Sequence, residues 1–163
     1  MYIHANGAKY DGQWQDDLQH GQGVEVWADG SQYEGNYESG RKHGFGAYLW
    51  TDGSRYTGEW FENRINGRGR YEWTDGRVYD GDWVQNNMDG RGVYNWPDGR
   101  RYEGQYLKDR KHGFGVYSWA DGRKYEGMWE DGRQHGEGKY YTGEENAAPR
   151  KGLWVEGKRQ KWL

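Results

Sequence analysis

The sequence predicts an all-β protein, an elongated single-layer antiparallel sheet that forms an open, solenoid-like ribbon of tandem β-hairpins. A Tyr-x-Gly-x-(Trp/Tyr) motif recurs every 23 residues, beginning at Tyr10, Tyr33, Tyr56, Tyr79, Tyr102 and Tyr125. The chain has 29 Gly, 11 Trp and 15 Tyr, so rings and glycines must fill most of its core. Asp-Gly turn signals follow Trp27, Trp50, Trp73, Trp96 and Trp119.

The first strand of each unit places its aromatic residues and its glycine on one face. In the first copy, Tyr10, Gly12 and Trp14 alternate with Asp11 and Gln13, which is the period-2 pattern of a half-buried strand. A glycine between two aromatic residues leaves a notch into which a ring from the neighbouring strand can pack. We therefore expect rings and glycines to interlock in rows along the sheet.

The second strand of each unit follows a Gly-x-Gly motif. In the second copy, Gly46, Tyr48 and Trp50 share one face, and the Asp-Gly step then turns the chain into the next unit. We interpret the segment between the two strands, DDLQHG from Asp16 to Gly21 in the first copy, together with the (His/Asn/Asp)-Gly-x-Gly motif, as the hairpin turn. The repeated histidines are then turn residues, namely His20, His43, His112 and His135.

The repeats define one predicted array over residues 1–163. Residues 1–9 resemble the second half of a unit, residues 10–140 contain six full repeats, and residues 141–163 form an irregular C-terminal cap. The cap retains a remnant from Gly152 to Trp154 and ends near Trp162. Such a cap would protect a sheet edge that otherwise invites strand pairing.

Composition and spacing argue against catalysis, metal binding and nucleic-acid binding. The chain lacks cysteine, and histidines of neighbouring units would lie two strands apart, about 9.5 Å, which is too far to share one zinc ion. The acidic residues repeat equally in every unit, whereas an acid-base pair needs one special environment. The net charge of -3 does not favour a nucleic-acid partner. We predict a protein that is not an enzyme and has no cofactor.

The repeat resembles the MORN (membrane occupation and recognition nexus) family, whose consensus is close to Y-E-G-E-W-x-N-G-x-x-H-G-x-G. The resemblance covers six units from residue 10 to about residue 140. This sequence departs from the consensus at Asn66 and Asp89, which replace His, and at Tyr37 and Tyr106, which replace Trp. The resemblance implies a binding scaffold in a cytoskeletal, ciliary, axonemal or membrane-contact assembly.

The aromatic face is the predicted site for a protein partner. We expect a peptide or helix to lie in a groove of the middle units, which are lined by Trp50, Tyr56, Trp60, Trp73, Tyr79, Trp83 and Trp96. The alternative is a peripheral module that binds phosphoinositides or other anionic lipids weakly. Its candidate contacts are Arg100, Arg101, Arg110, Lys111, Arg123 and Lys124, provided that they share a side.

Two further expectations concern the setting of the protein. No stretch of the sequence is apolar enough to cross a bilayer, and its start lacks the features of a signal peptide, so we expect a cytoplasmic location, associated with the cytoskeleton or a cilium. A homodimer through one end of the array is a further candidate assembly, because terminal strands are open to pairing.

Overall fold

The computed structural model describes all residues, 1–163, and confirms an all-β fold without helices. Its strands form a single antiparallel sheet of 15 strands in chain order. The strands are β1 Tyr2–Ile3, β2 Lys9–Gln15, β3 Leu18–Val26, β4 Gln32–Glu38, β5 Arg41–Leu49, β6 Arg55–Phe61, β7 Arg64–Glu72, β8 Val78–Val84, β9 Asn87–Asn95, β10 Arg101–Leu107, β11 Arg110–Ser118, β12 Lys124–Glu130, β13 Arg133–Tyr141, β14 Arg150–Val155 and β15 Lys158–Trp162.

The chain divides into two compact units. Unit 1 comprises Met1–Gly76 and Trp83–Asn86, and unit 2 comprises Arg77–Asp82 and Asn87–Leu163. In unit 2, β14 pairs with β13 and β15 pairs with β14, within the segment that we expected to be irregular. The hairpin series therefore continues close to the C-terminal end of the described chain.

Each hairpin closes with a two-residue turn in which both residues have positive φ angles. Between β2 and β3 these are Asp16 and Asp17, at 51° and 62°, and between β6 and β7 they are Glu62 and Asn63, at 46° and 71°. Two consecutive left-handed residues are the mark of the type I′ turn, whose twist matches that of the flanking strands. The turn thus occupies the first two residues of the predicted segment from Asp16 to Gly21. The His-Gly-x-Gly motif, which we also assigned to the turn, lies within the second strand instead.

The His-Gly-x-Gly motif forms a bulge inside the second strand. Gly12 pairs with Gly23 and Trp14 pairs with Gln19, so three residues of β3 face one residue of β2. Gly21 adopts a φ of 73° within this bulge. The side chain of that single residue in β2, Gln13, accepts a 2.8 Å hydrogen bond from a backbone amide of the bulge.

The variable first position of that motif connects successive hairpins. The Nδ1 atom of His20 accepts a hydrogen bond from the Ser39 amide at 3.4 Å, and Asn66 Oδ1 accepts one from the Gln85 amide at 3.1 Å. The Asp89 carboxylate accepts the equivalent bond from the Lys108 amide at 3.4 Å. His, Asn and Asp all supply an acceptor here, which explains their exchange between repeats.

The second predicted turn, at Trp-x-Asp-Gly, is confirmed. The Trp27 amide donates to the Ser31 carbonyl at 2.9 Å, and the Gly30 amide donates to the Trp27 carbonyl at 3.0 Å. The Asp29 carboxylate accepts from the Ser31 amide at 2.9 Å, which closes the turn locally. Gly30 has a φ of 94°, so this position favours glycine.

The first tyrosine of each repeat packs over a pair of glycines, so the notch is filled by a ring of the same strand and not by the expected ring of the neighbouring strand. A Cβ on Gly58 would lie 2.7 Å from the Tyr56 Oη and 2.5 Å from the Arg68 carbonyl oxygen, and Gly58 pairs across the strands with Gly69. The Tyr56 hydroxyl also donates to the Glu59 carbonyl at 2.8 Å. One ring therefore covers the glycine of its own strand and the glycine of the next strand.

Candidate functional site

The aromatic face, defined as the face that carries the first tyrosine of each repeat, contains two buried rows. The first row is Tyr10, Tyr33, Tyr56, Tyr79, Tyr102 and Tyr125, and the second is Tyr37, Trp60, Trp83, Tyr106, Trp129 and Trp154. The second-row rings are held by polar contacts as well as packing. For example, the Trp60 Nε1 donates to the Gly46 carbonyl at 3.0 Å, and the Trp129 Nε1 donates to the Gly115 carbonyl at 3.2 Å.

Burial corrects four of the predicted partner contacts. Tyr56 and Tyr79 are 0% exposed, and Trp60 and Trp83 are 6% and 5% exposed. These side chains offer a partner almost no surface, because other rings pack against them. Tyr56 and Tyr79 are covered by rings of the following hairpin, and Trp60 and Trp83 by rings of the preceding strand. They hold the fold, and Trp50, Trp73 and Trp96 remain as predicted contacts.

A third and a fourth row of rings remain partly exposed and form what we call the aromatic ladder. It consists of Trp27, Tyr48, Trp50, Tyr71 and Trp73 in unit 1 and of Tyr94, Trp96, Tyr117 and Trp119 in unit 2, where Tyr94 alone is buried. Adjacent ring centroids in unit 1 lie 5.5, 4.6, 5.1 and 4.4 Å apart. Those in unit 2 lie 4.3, 5.7 and 4.8 Å apart.

The sequence prediction found only part of this ladder. Trp50, Trp73 and Trp96 belong to it, whereas Tyr48 and Tyr117 were not among the predicted contacts. A signal was available, because Tyr48 and Trp50 alternate on the same face of the second strand.

The ladder tyrosines have different polar neighbours in the two units. In unit 1 the Tyr48 hydroxyl donates to the Ser31 Oγ at 3.4 Å. In unit 2 the Arg100 guanidinium donates to the Tyr117 hydroxyl at 3.4 Å and lies 5.1 Å above the Trp96 ring. Arg100 is also paired with a carboxylate of its own turn, at 2.8 Å. The ladder is therefore lined by arginine only in unit 2.

Two lysines lie inside cages of four rings. The Lys42 Nζ is 5.3 Å from the centre of Trp27, 5.8 Å from Tyr33, 5.7 Å from Tyr48 and 5.7 Å from Trp60. These are cation-π distances, and four rings share one ammonium group.

The second cage, in unit 2, reproduces the first at a distance of 69 residues along the chain. The Lys111 Nζ lies 5.6 Å from Trp96, 5.6 Å from Tyr102, 5.7 Å from Tyr117 and 5.5 Å from Trp129. Sequence reasoning assigned Lys111 to a lipid-binding edge, and its place inside the sheet's ring rows removes it from such an edge.

The position that these lysines occupy, which we call the cage position, holds a different residue in each repeat. In chain order it is occupied by Gln19, Lys42, Ile65, Met88, Lys111 and Gln134. Register places it opposite the second-row ring, as in the pairs of Tyr37 with Lys42 and Tyr106 with Lys111. Both lysine repeats have Tyr where the other four have Trp, so the smaller ring accompanies the long cationic side chain.

A buried carboxylate accompanies the Lys42 cage. Glu25 is 8% exposed and accepts hydrogen bonds from the Tyr37 hydroxyl at 2.9 Å and from the Gln19 amide at 3.0 Å. Burial lowers the pKa of Lys42, and the negative charge of Glu25 opposes that shift. Unit 1 thus provides a counter-charge for its own caged lysine.

The other candidate lipid contacts do not share one side of the sheet. Arg101 and Lys124 precede the buried tyrosines of β10 and β12, and Arg110 pairs with Leu107, so these three point away from the aromatic face. Arg123 instead lies 5.4 Å above the Trp119 ring and pairs with Asp121 at 2.7 Å. The strand pleat therefore divides a cluster that is continuous in sequence, although lipid binding itself stays an untested hypothesis.

The histidines and acidic residues form no grouping suited to a metal ion. No three His, Asp or Glu side chains come together in a metal-binding arrangement. His43 and His135 instead contact single carboxylates, Glu38 at 3.0 Å and Glu130 at 3.3 Å. The structure also contains no helix that could cross a membrane.

Comparisons with known proteins identify the repeat. No curated protein matches the sequence significantly. Among solved structures, the wild-type TCP10 domain of Danio rerio CPAP is 17% identical, with 87% of this chain and 72% of that chain covered and a TM-score of 0.31. The MORN repeat family model matches residues 10–32, 33–55, 56–76, 79–100, 102–122 and 125–143. Because these matches cover most of the chain, the protein belongs to the MORN-repeat family.

Proposed function

We propose that this protein is a non-enzymatic scaffold that holds a partner protein on the aromatic ladder. The observation that supports this proposal is that the ring rows differ in burial. The two inner rows are buried and hold the fold, whereas the ladder rings other than Tyr94 keep exposed surface in a regular series. Exposed Trp and Tyr side chains provide large contact areas at little cost in conformational entropy, and they dominate binding energies in many interfaces.

The opposite face lacks this property. Its large apolar side chains, such as Phe45 and Phe61, are interspersed with charged residues, and its small cluster of Phe114, Met128 and Leu163 is bordered by Glu126, Glu137, Lys139 and Lys151. Single exposed apolar side chains are normal on soluble proteins and do not mark an interface. The ladder is therefore the better candidate surface in each unit.

The proposed setting is a cytoskeletal, ciliary or membrane-contact assembly. This part of the proposal rests on family membership, because MORN repeats occur in binding scaffolds of that kind. The geometry adds that a partner would contact a rigid surface, since the ladder rings stand on paired strands and contact one another at 4.3 to 5.7 Å in both units.

Site-specific photo-crosslinking tests the proposal. A benzophenone amino acid is introduced at Trp73 or Trp119 of the ladder and, as a control, at Phe45, which is 58% exposed on the opposite face. The variants are expressed in ciliated cells and irradiated, and crosslinked proteins are identified by mass spectrometry. We expect a shared partner at Trp73, at Trp119 or at both, and none of that partner at Phe45. Crosslinks to the same protein only from Phe45, or from no position, would contradict the proposal.

A further inference from the structure

The two caged lysines differ in their charge environment. The ring cages are equivalent, but the pairing register places Glu25 opposite Tyr33 in unit 1 and Tyr94 opposite Tyr102 in unit 2. A neutral ring thus stands in unit 2 where unit 1 has its counter-charge. Burial lowers the pKa of Lys111, and the nearby Arg100 guanidinium lowers it further. Neither caged lysine forms a salt bridge, but Lys111, unlike Lys42, has no carboxylate at the position that faces the first tyrosine of its repeat.

Two adjoining cavities open beside Lys111 on the aromatic face of unit 2. The first, of about 310 Å³, includes Lys111, Tyr117, Trp119, Trp129 and Gln134 in its lining. The second, of about 270 Å³, is lined by Trp119, Gln134, Tyr140, Trp154, Arg159 and Trp162. Trp119 and Gln134 belong to both linings, so the cavities form one track. Neither lining contains an acidic side chain.

The far end of this track also carries positive charge that no carboxylate neutralises. The guanidinium carbons of Arg150 and Arg159 lie 4.0 Å and 4.3 Å from the centre of the Trp162 ring. Neither arginine forms a salt bridge. Register places Arg150 and Arg159 on the face of Trp154, whereas Lys151, Lys158 and Lys161 lie on the opposite face. Positive charges therefore flank the aromatic cavities at both ends.

The sixth repeat explains why the second cavity is open. At the cage position Gln134 replaces the lysine of the second and fifth repeats, and a glutamine side chain is shorter and neutral. The surrounding rings are retained, with Trp119 and Tyr140 as the equivalents of Trp96 and Tyr117 one repeat earlier. The result is an aromatic recess of a size suited to one apolar side chain.

We propose that this track, from Lys111 to Arg159, docks an acidic segment of a partner protein. An aromatic or aliphatic side chain of the segment enters the recess between Trp119 and Trp162, and its flanking carboxylates pair with Lys111 and Arg159. The inference rests on the proposed scaffold function and specifies the chemistry of the partner. Charge complementarity at a track without acidic residues favours a carboxylate-bearing segment and disfavours a basic one.

A protein segment fits this surface better than a membrane does. The cations of the track lie beside ring-lined recesses, whereas Arg101, Arg110 and Lys124 lie on the opposite face. A flat anionic bilayer could therefore meet only part of the positive charge of this unit at once. An extended peptide instead reaches both recesses with alternate side chains.

Peptide selection on the intact chain tests the inference. A random 12-residue peptide library displayed on phage is selected on the full-length protein, and the enriched peptides are synthesised with a fluorescent label. We expect them to carry net negative charge and at least one aromatic or aliphatic residue. Fluorescence polarisation then measures their affinity for the wild type and for Lys111→Met, Arg159→Gln and Lys42→Met.

The variants contain their own controls. Methionine and glutamine occupy the cage position naturally as Met88 and Gln134, so Lys111→Met and Lys111→Gln should both fold, which circular dichroism checks. We expect each change at Lys111 to weaken binding about tenfold or more, because a buried charge pair loses one partner. Lys42→Met removes the equivalent ammonium from unit 1 and should leave affinity within about twofold.

The outcomes separate this inference from the scaffold proposal. Enriched peptides that are neutral or basic, or that bind both Lys111 variants as tightly as they bind the wild type, overturn the acidic-segment inference. If such peptides still lose binding with Trp119→Ala, the scaffold proposal stands. A chain that selects no peptide, or that only floats with phosphatidylserine vesicles in a Lys111-dependent manner, contradicts both.

Discussion

Unit 1 and unit 2 build the same aromatic cage around a lysine but treat its charge differently. In unit 1 the buried carboxylate of Glu25 opposes the shift in the pKa of Lys42. In unit 2 the equivalent position is Tyr94, and the Arg100 guanidinium lowers the pKa of Lys111 further. The first cage has a carboxylate that opposes the loss of the lysine charge, whereas the second has none at the equivalent position.

The ladder repeats this difference at the Trp-x-Asp-Gly turns. After the glycine, unit 1 has Ser31 and Ser54, both buried and bonded to the aspartate of the turn. Unit 2 has Arg100 and Arg123 at the same place, each paired with its aspartate and lying over a tryptophan. The Tyr-Gly core is therefore the same in both units, and the units differ in the residues at the cage position and after the glycine of the turn.

Alkaline unfolding is the largest expected effect and tests whether the core is truly common to both units. Burial raises the pKa of five first-row tyrosines above 10, and that of Tyr125 to about 12. The other four are Tyr10, Tyr33, Tyr56 and Tyr102. In each case the stability from the neutral phenol is fully present below pH 10 and is lost as the pH rises through the folded-state pKa. Tyr33 in unit 1 and Tyr102 in unit 2 have the same direction and cause.

We expect the melting temperature to stay constant up to about pH 9 and then to fall by on the order of 10 °C or more by pH 12. Circular dichroism melts, combined with tyrosinate absorbance, measure this change. A single transition at each pH agrees with a shared core. Two well-separated alkaline transitions would show that the tyrosine rows of the units differ in stability.

Filling the glycine notch should destabilise both units equally. A Cβ on Gly58 in unit 1 would lie 2.5 Å from the Arg68 carbonyl oxygen, and one on Gly104 in unit 2 would lie 2.7 Å from the Phe114 carbonyl oxygen. Because backbone atoms cannot move aside easily, Gly58→Val and Gly104→Val should each cost about 3 kcal/mol. Urea denaturation gives both values.

The neighbouring residue supplies the control for this pair. Thr57→Val changes the same strand on its other face and should alter stability by less than about 0.5 kcal/mol. An unchanged urea midpoint for Gly58→Val or Gly104→Val would show that the ring-over-glycine packing does not hold the sheet.

Removing the caged lysines should change the free energy of unfolding by a smaller amount, and by a different amount in each unit. Lys42→Met leaves the buried Glu25 with His4, 4.0 Å away, as its remaining basic neighbour, and should cost about 1 kcal/mol more than Lys111→Met, which removes a charge without a nearby carboxylate. The loss of cation-π contacts is common to both variants and cancels in the comparison. Equal changes in the free energy of unfolding at pH 7 for the two variants would contradict the proposed difference between the cages.

The fold could be predicted from the sequence because the same residue pattern recurs in every repeat. Alternation fixes which face Tyr56 and Trp60 occupy, and the Asp-Gly step fixes one turn of each unit. The other turn was placed too broadly because most of its residues, such as Glu62 and Asn63, are not glycine although their φ angles are positive. Glycine is the usual sequence sign of a turn, but the next glycine along the chain, Gly67, belongs to the adjacent bulge.

The site was less predictable, because sequence period gives the face of a side chain but not what covers it. Trp60 and Trp50 share a face, yet Trp60 is buried and Trp50 keeps exposed surface. Lys111 carries a surface-type side chain, and only the register shows that four rings from neighbouring hairpins surround it. The proximity of Arg110 and Lys111 in sequence suggested a basic edge, whereas the pleat places them on opposite faces.

The most direct test of the difference between the cages is the titration of the two lysines themselves. NMR spectra of protein with ¹³C-labelled lysine, assigned with Lys42→Met and Lys111→Met, report the pKa of each ammonium group. We expect both pKa values to lie below that of an exposed lysine and the pKa of Lys111 to lie below that of Lys42. Adding a selected acidic peptide should raise the pKa of Lys111 and leave that of Lys42 unchanged. Equal pKa values for the two lysines, or a Lys111 that titrates like an exposed lysine, would contradict this difference between the cages.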